Sequence, residues 1–140
     1  MTMARVKVTK DDFSIDEACR EITTSRTGGI VTFIGVVRGE DGDERTESIE
    51  IEAYEEMATK ELESLREQAI RKYGLEDLSI IHRVGQLFPG DNIVLIVAAG
   101  AHRPECFEAA RFIIERIKKL VPIWKRETSS SGKKWVEGEH

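Results

Sequence analysis

At 140 residues, with 40% hydrophobic and 34% charged side chains, the chain has the size of one domain, 1–140, and a composition that excludes a disordered tail. No stretch approaches a membrane span and the opening MTMARVKVTKDD is too polar for a secretory signal, so the cytoplasm is the expected compartment. A formal net charge of -5 argues against a general nucleic-acid binder, which needs a basic footprint to displace counterions.

The first element is a short helix opened by the capping-box pattern Ser14-Ile15-Asp16-Glu17 and running to about Thr23. Gly28-Gly29 breaks the chain before a β-branched, apolar strand from Ile30 to Val37, with Arg38 at its end. Gly39 to Thr46 is charged and Gly-bearing, which predicts a mobile loop. The strand Ser48 to Tyr54 then alternates, with Ile49, Ile51 and Ala53 on one face. From about Glu56 to Tyr73, Leu62, Leu65, Ala69, Ile70 and Tyr73 recur at helical spacing, and Gly74 supplies the stop. Leu78 to Val84 and Asn92 to Ala99 read as an antiparallel pair joined around Pro89-Gly90-Asp91-Asn92. Pro104 suits the first turn of a second long helix that reaches Leu120 and is ended by Pro122. A closing hairpin pairs Ile123–Thr128 with Lys134–Val136 across Ser129-Ser130-Ser131-Gly132. There is no internal repeat, and the order of elements gives an α+β fold with a largely antiparallel sheet and two long amphipathic helices.

Cys19 and Cys106 are too far apart for a redox pair or a zinc knuckle and are expected to be reduced core thiols. His82, His102 and His140 show no ligand spacing, so no metal site is expected. The chemistry has to come from elsewhere. Between Ala101 and Trp135 there are nine Lys/Arg against four Glu, a basic segment in an otherwise acidic chain, which suits a small anionic ligand or a partner's carboxylate terminus.

Within that segment, Gly100-Ala101-His102-Arg103-Pro104 sits where a strand gives way to a helix. Free backbone N–H groups, an imidazole and a guanidinium there make an anion site, although the same residues also serve to cap and solvate a loop. On a helical wheel Phe107, Ala110, Ile113, Ile114, Ile117 and Leu120 form an apolar arc. Lys118 falls at its edge beside Ile114, and Lys119 points away. An ammonium held against apolar surface among other cations is pushed toward the neutral amine, a nucleophile or base; a lysine whose stem merely covers the core fits the position too. In Ile123–Glu127, Lys125 and Glu127 share one face, Trp124 and Arg126 the other. Basic groups from a strand end, a helix and a hairpin converge on one pocket if the hairpin folds back on the helix.

The runs GGIVTFIGVVRG, EAYEEMATKEL, IIHRVGQLFPGD, AHRPECFEAARFIIERIKKLVPIWKRE and KKWVE, collinear from Gly28 to Glu137, resemble the catalytic large-subunit family of molybdopterin synthase. The resemblance implies a fold of the α/β-hammerhead type and a homodimer within a heterotetramer. Each of its two ubiquitin-like small subunits inserts a C-terminal Gly-Gly tail carrying a thiocarboxylate. The implied activity is sulfur transfer to cyclic pyranopterin monophosphate, forming the dithiolene of molybdopterin in molybdenum cofactor biosynthesis, with no cofactor of the protein's own. It also implies substrate contacts at Val36, Val37, Arg38, His102, Arg103, Lys118, Lys125, Arg126 and Glu127, with Lys118 and Lys125 as the catalytic pair and Phe33 as a pocket wall. In that scheme Arg38, His102 and Arg103 neutralise the substrate phosphate while the two lysines manage charge and protons. The chain departs from the family pattern in the loop Gly39–Arg45, which is acidic here where relatives often carry His or Asn. Two rival classes make different demands. A non-catalytic adaptor binds a ubiquitin-like tail in the same groove without converting a pterin, and a small RNA-binding domain needs exposed strand aromatics and a basic face.

Overall fold

A computed structural model describes residues 4–136, apart from the side chain of Leu120. In chain order the elements are β1 (Val6–Thr9), α1 (Ile15–Ile22), β2 (Gly29–Val36), β3 (Glu40–Asp41), β4 (Glu44–Ala53) and α2 (Glu55–Tyr73). They continue with β5 (Asp77–Arg83), β6 (Gly85–Leu87), β7 (Asn92–Gly100), α3 (Arg103–Leu120), β8 (Ile123–Ser129) and β9 (Gly132–Val136). No helix among the described residues is long and apolar enough to cross a membrane.

Two sheets share the work. The first has strand order β1-β5-β7-β2, and the second has β3-β4-β8-β9 with β6 also paired to β4. Most pairings are antiparallel, as the sequence predicts; β1, which the sequence pattern does not announce, adds to β5 in parallel. An ion-paired centre ties β1 down: Asp77 accepts from Arg5 at 2.9 Å and from Arg66 at 2.7 Å. Burial works against the Asp77 charge, but these bonds hold its carboxyl below the usual range.

β7 is the axis of the first sheet. Ile93 to Gly100 are all buried, with Val94, Ile96 and Ala98 in the main core and Leu95, Val97 and Ala99 in a second cluster with Ala18 and Ile22 of α1. A strand covered on both faces reads as a continuous apolar run, which is why NIVLIVAAG lacks alternation. α2 contributes Ala58, Leu62, Leu65 and Ala69 and α3 contributes Ala109, Ile113 and Ile117 to the main core, which extends through Ile49, Ile51 and Leu87 into the second sheet.

Helix ends follow their predicted chemistry. Ser14 Oγ accepts from Glu17 N–H at 3.2 Å, Gly74 takes the left-handed C-cap at φ 67°, and a proline occupies the first turn of α3. Phe107 departs from expectation: it is 60% exposed, and its neighbour Cys106 faces the core instead. The apolar arc of α3 is thus rotated by about 100°, one residue, at its N-terminal end. Cys106 is buried and Cys19 half-buried, both as free thiols. The acidic stretch after Arg38 is not a loose loop but a hairpin, with Glu40 paired to Arg45 and Asp41 to Glu44. β6 also interrupts the predicted β5–β7 connection, leaving the first sheet to pair with β4. His140 lies outside the described residues.

Two stability tests follow from this packing. Gly28 donates to Gly100 O at 2.9 Å, and a Cβ at Gly28 would stand 2.0 Å from Ala101 O, a backbone atom. Gly28→Ala is expected to cost about 2 kcal/mol or more in chemical denaturation, the range of overpacked cores. His82 is fully buried, with Nδ1 2.8 Å from Arg83 O. Burial lowers its pKa from 6.5 to about 4, opposed by the Arg83 bond and helped by the positive charge of Lys125. Its folded value lies below its unfolded one, so the unfolded chain takes up the proton first. Stability is therefore full above pH 6.5 and falls as pH drops toward 4, by about 3 kcal/mol from this group. Urea unfolding across that range should show the loss in the wild type and not in His82→Leu.

Candidate active site

The end of β2, the start of β7, the last turn of α3 and the β8–β9 hairpin surround a cavity of about 280 Å³. β2 leads into it because Val36 pairs with Asn92 past a register shift at Gly35, and Val37 N–H donates to Asp91 O at 2.9 Å. Arg38 therefore leaves the sheet at the cavity wall. β8 runs beside β4, with Ile51 opposite Lys125 and Ile49 opposite Glu127. Strand alternation then turns Lys125 and Glu127 inward. Lys118, exposed in the last turn of α3, closes a further side.

The wall thus unites Val36, Val37, Arg38, Lys118, Lys125 and Glu127. Three cations from a strand end, a helix and a hairpin meet in one space, the convergence that the sequence left open. Glu127 is fixed there by the Thr46 hydroxyl, which donates to it at 2.6 Å. Such a cavity attracts anions and stabilises negative charge that develops inside it.

The structure separates the other three residues from this group. Arg126 lies on the opposite face of β8, paired with Glu50 and stacked 5.7 Å from the Trp135 ring centroid. His102 and Arg103 are exposed at the N-terminal end of α3, where His102 Nδ1 is 3.7 Å from Glu105 and makes no side-chain cap bond. Arg103 to Lys118 spans fifteen helical positions, about 22 Å along the axis. Ile93, at the cavity, to Gly100, before His102, spans seven strand steps, about 23 Å. Two independent elements give the same separation. Phe33 is half-buried against the main core and is not part of the cavity wall.

Asp41, Thr46, Ile49, Ile93 and Val136 also line the cavity. Ile49 was legible as an inward residue of its strand. Asp41 and Thr46 belong to the stretch that reads as a loop, and only the hairpin brings them here.

Comparison with known proteins agrees along the whole chain. The MoaE protein family matches residues 8–120. A molybdopterin synthase catalytic subunit from Pyrococcus abyssi is 43% identical over 99% of this chain and 95% of its own length. One from Yersinia pestis is 38% identical over 98% and 91%. Among solved structures, molybdopterin synthase from Staphylococcus aureus superposes with a TM-score of 0.90 at 34% identity, covering 99% of each chain. A Helicobacter pylori chain from a complex of subunits 1 and 2 of molybdopterin-converting factor shares the fold, with a TM-score of 0.72 at 23% identity over 98% of this chain and 92% of its own. On sequence and fold together, this chain belongs to the MoaE family, that of the molybdopterin synthase catalytic subunits.

Proposed function

We propose that the cavity at Arg38, Lys118, Lys125 and Glu127 is where this catalytic subunit moves sulfur from a thiocarboxylated, ubiquitin-like small subunit onto cyclic pyranopterin monophosphate. The observation that carries this reading is the meeting of three cations in a single space with Glu127, which Thr46 fixes there. Arg38 takes the phosphate of the substrate, with Val36 and Val37 as its apolar neighbours. The tail's sulfur bonds to a side-chain carbon of the pterin as a C–O bond of that carbon breaks, its oxygen leaving with a proton, and the sulfur remains acylated by the tail. Water then attacks the acyl carbon, the acyl C–S bond breaks, the sulfur stays on the pterin and the tail leaves as a carboxylate. Lys118 and Lys125 stabilise the oxyanion of that hydrolysis and relay its protons. A second round completes the dithiolene. No cofactor or metal of the protein's own enters this scheme.

His102 and Arg103 enter through a second copy of the chain. One protomer holds them more than 20 Å from its own cavity by the strand and helix spacings above, so in the homodimer they serve the cavity of the partner. Arg126 acts from behind, keeping β8 in line through Glu50 and Trp135. We also read residues 1–140 as a single domain, since one buried cluster runs through both sheets, and the cytoplasm as its compartment, in keeping with two free thiols.

Lys118→Ala and Lys125→Ala are each expected to lower product formation at least about 100-fold in a purified reaction, with circular dichroism unchanged. Near-normal turnover in both would remove their assigned roles. Partner binding without pterin conversion in the wild type would favour an adaptor. The dimer arrangement has its own test, in which Lys118→Ala chains are mixed with His102→Ala/Arg103→Ala chains. Neither alone turns over well, but random pairing restores about one quarter of wild-type activity, because half the dimers carry one whole site of two. A mixture as inactive as its components would place all these groups in one chain's site.

A further inference from the structure

The acidic hairpin after Arg38 has no part in the scheme above, yet it forms part of the cavity wall. Asp41 is a wall residue, and its Oδ2 lies 3.3 Å from Arg38 Nη2. The hairpin that carries it is anchored from both sides. Thr46 N–H donates to Gly39 O at 2.8 Å, Arg45 N–H donates to Ser130 Oγ at 3.2 Å, and Ser130 N–H donates to Arg45 O at 3.0 Å. Glu44 accepts from Ser131 at 2.7 Å and from Lys134 at 3.2 Å, which ties the hairpin to the β8–β9 turn. Asp41 is thus delivered to Arg38 by a built element.

An anion that approaches Arg38 meets a carboxylate already in place. It has to displace Asp41 from the guanidinium and then tolerate its charge nearby, and both effects weaken binding. We propose that Asp41 is an internal competitor for the anion subsite at Arg38, so that it sets how tightly a phosphate group is held and how readily it is released. The proposal rests on the reading of Arg38 as the phosphate contact. Both side chains are about two-thirds exposed, so the pair alone is weak and the competition is a tuning effect. A subsite weakened in this way holds substrate long enough for reaction without trapping an equally phosphorylated product.

The test uses the full chain with inorganic phosphate as the probe, followed by NMR at the backbone amides of Val36 and Val37. Asp41→Asn is expected to bind phosphate about two- to fivefold more tightly than wild type, the size of an exposed ion pair, with the difference shrinking in high salt. Asp43→Asn makes the same charge change on the same hairpin at a residue outside the cavity wall and is expected to bind as wild type does. Arg38→Ala is expected to weaken binding, and Arg38→Ala/Asp41→Asn to show no gain over it. Unchanged affinity in Asp41→Asn, or an equal gain in Asp43→Asn, overturns the competitor even if Arg38→Ala weakens binding and the subsite stands. Wild-type affinity in Arg38→Ala overturns the subsite and the competitor together. In the reconstituted reaction Asp41→Asn should lower KM for the phosphorylated substrate by the same factor that phosphate binding shows.

Discussion

The structure depends on a strand with no solvent face. β7 is buried against α2 and α3 on one side and α1 on the other, and its two ends lead to the residues that the proposed reaction uses. Its start, at Ile93, forms the cavity floor; its end releases the chain into Ala101, His102 and Arg103. Because every side chain between is buried, the strand cannot slide or tilt without opening a void on one face, and interiors resist such voids. The spacing between the cavity and the start of α3 is thereby a fixed length of the molecule.

Gathering Arg38, Lys118 and Lys125 in one space is costly, since like charges repel and neither water nor a ligand fully screens them at close range. The fold offsets this in two ways. Two carboxylates stand in the same wall, Glu127 held by Thr46 and Asp41 paired with Arg38. Each cation also belongs to a different element, so backbone packing rather than side-chain attraction fixes their approach. The buried His82 senses the arrangement at a distance, since the charge of Lys125 helps to keep its ring neutral.

Much of this was legible from residue order. The capping box at Ser14, the stop at Gly74, the proline of α3 and the alternation of Lys125 with Arg126 are local signals, and the structure bears them out. What stayed hidden depends on pairing at long range. β1 has too few residues to announce a strand and exists because β5 offers it an edge. Residues 40–46 look like a loop because their charges suit solvent, and they form a hairpin because Ser130, Ser131 and Lys134 hold them from the far end of the chain. Phe107 lies on the apolar side of the helical wheel, but the wheel cannot know that Cys106 fits beneath Gly29, within 3.5 Å of its carbonyl. The convergence of Arg38, Lys118 and Lys125 needed the fold; family resemblance named the residues and could not say which lie together in one protomer.

β8 carries two unrelated tasks on its two sides. Lys125 and Glu127 face the cavity, while Trp124 and Arg126 face outward, with Trp124 edge-on to Tyr54 at 5.0 Å and Arg126 between Glu50 and Trp135. A strand has a side-chain period of two, so inserting or deleting one residue within Ile123–Glu127 would exchange the sides completely. An indole and a paired guanidinium would then occupy the cavity, and the lysine and glutamate would be stranded on the surface. A substitution along this strand alters one side at a time, whereas a change of length removes the chemistry and the outer packing in a single step. At the turn of Ser130 and Ser131, between the strands, a change of length would leave the two sides of β8 as they are.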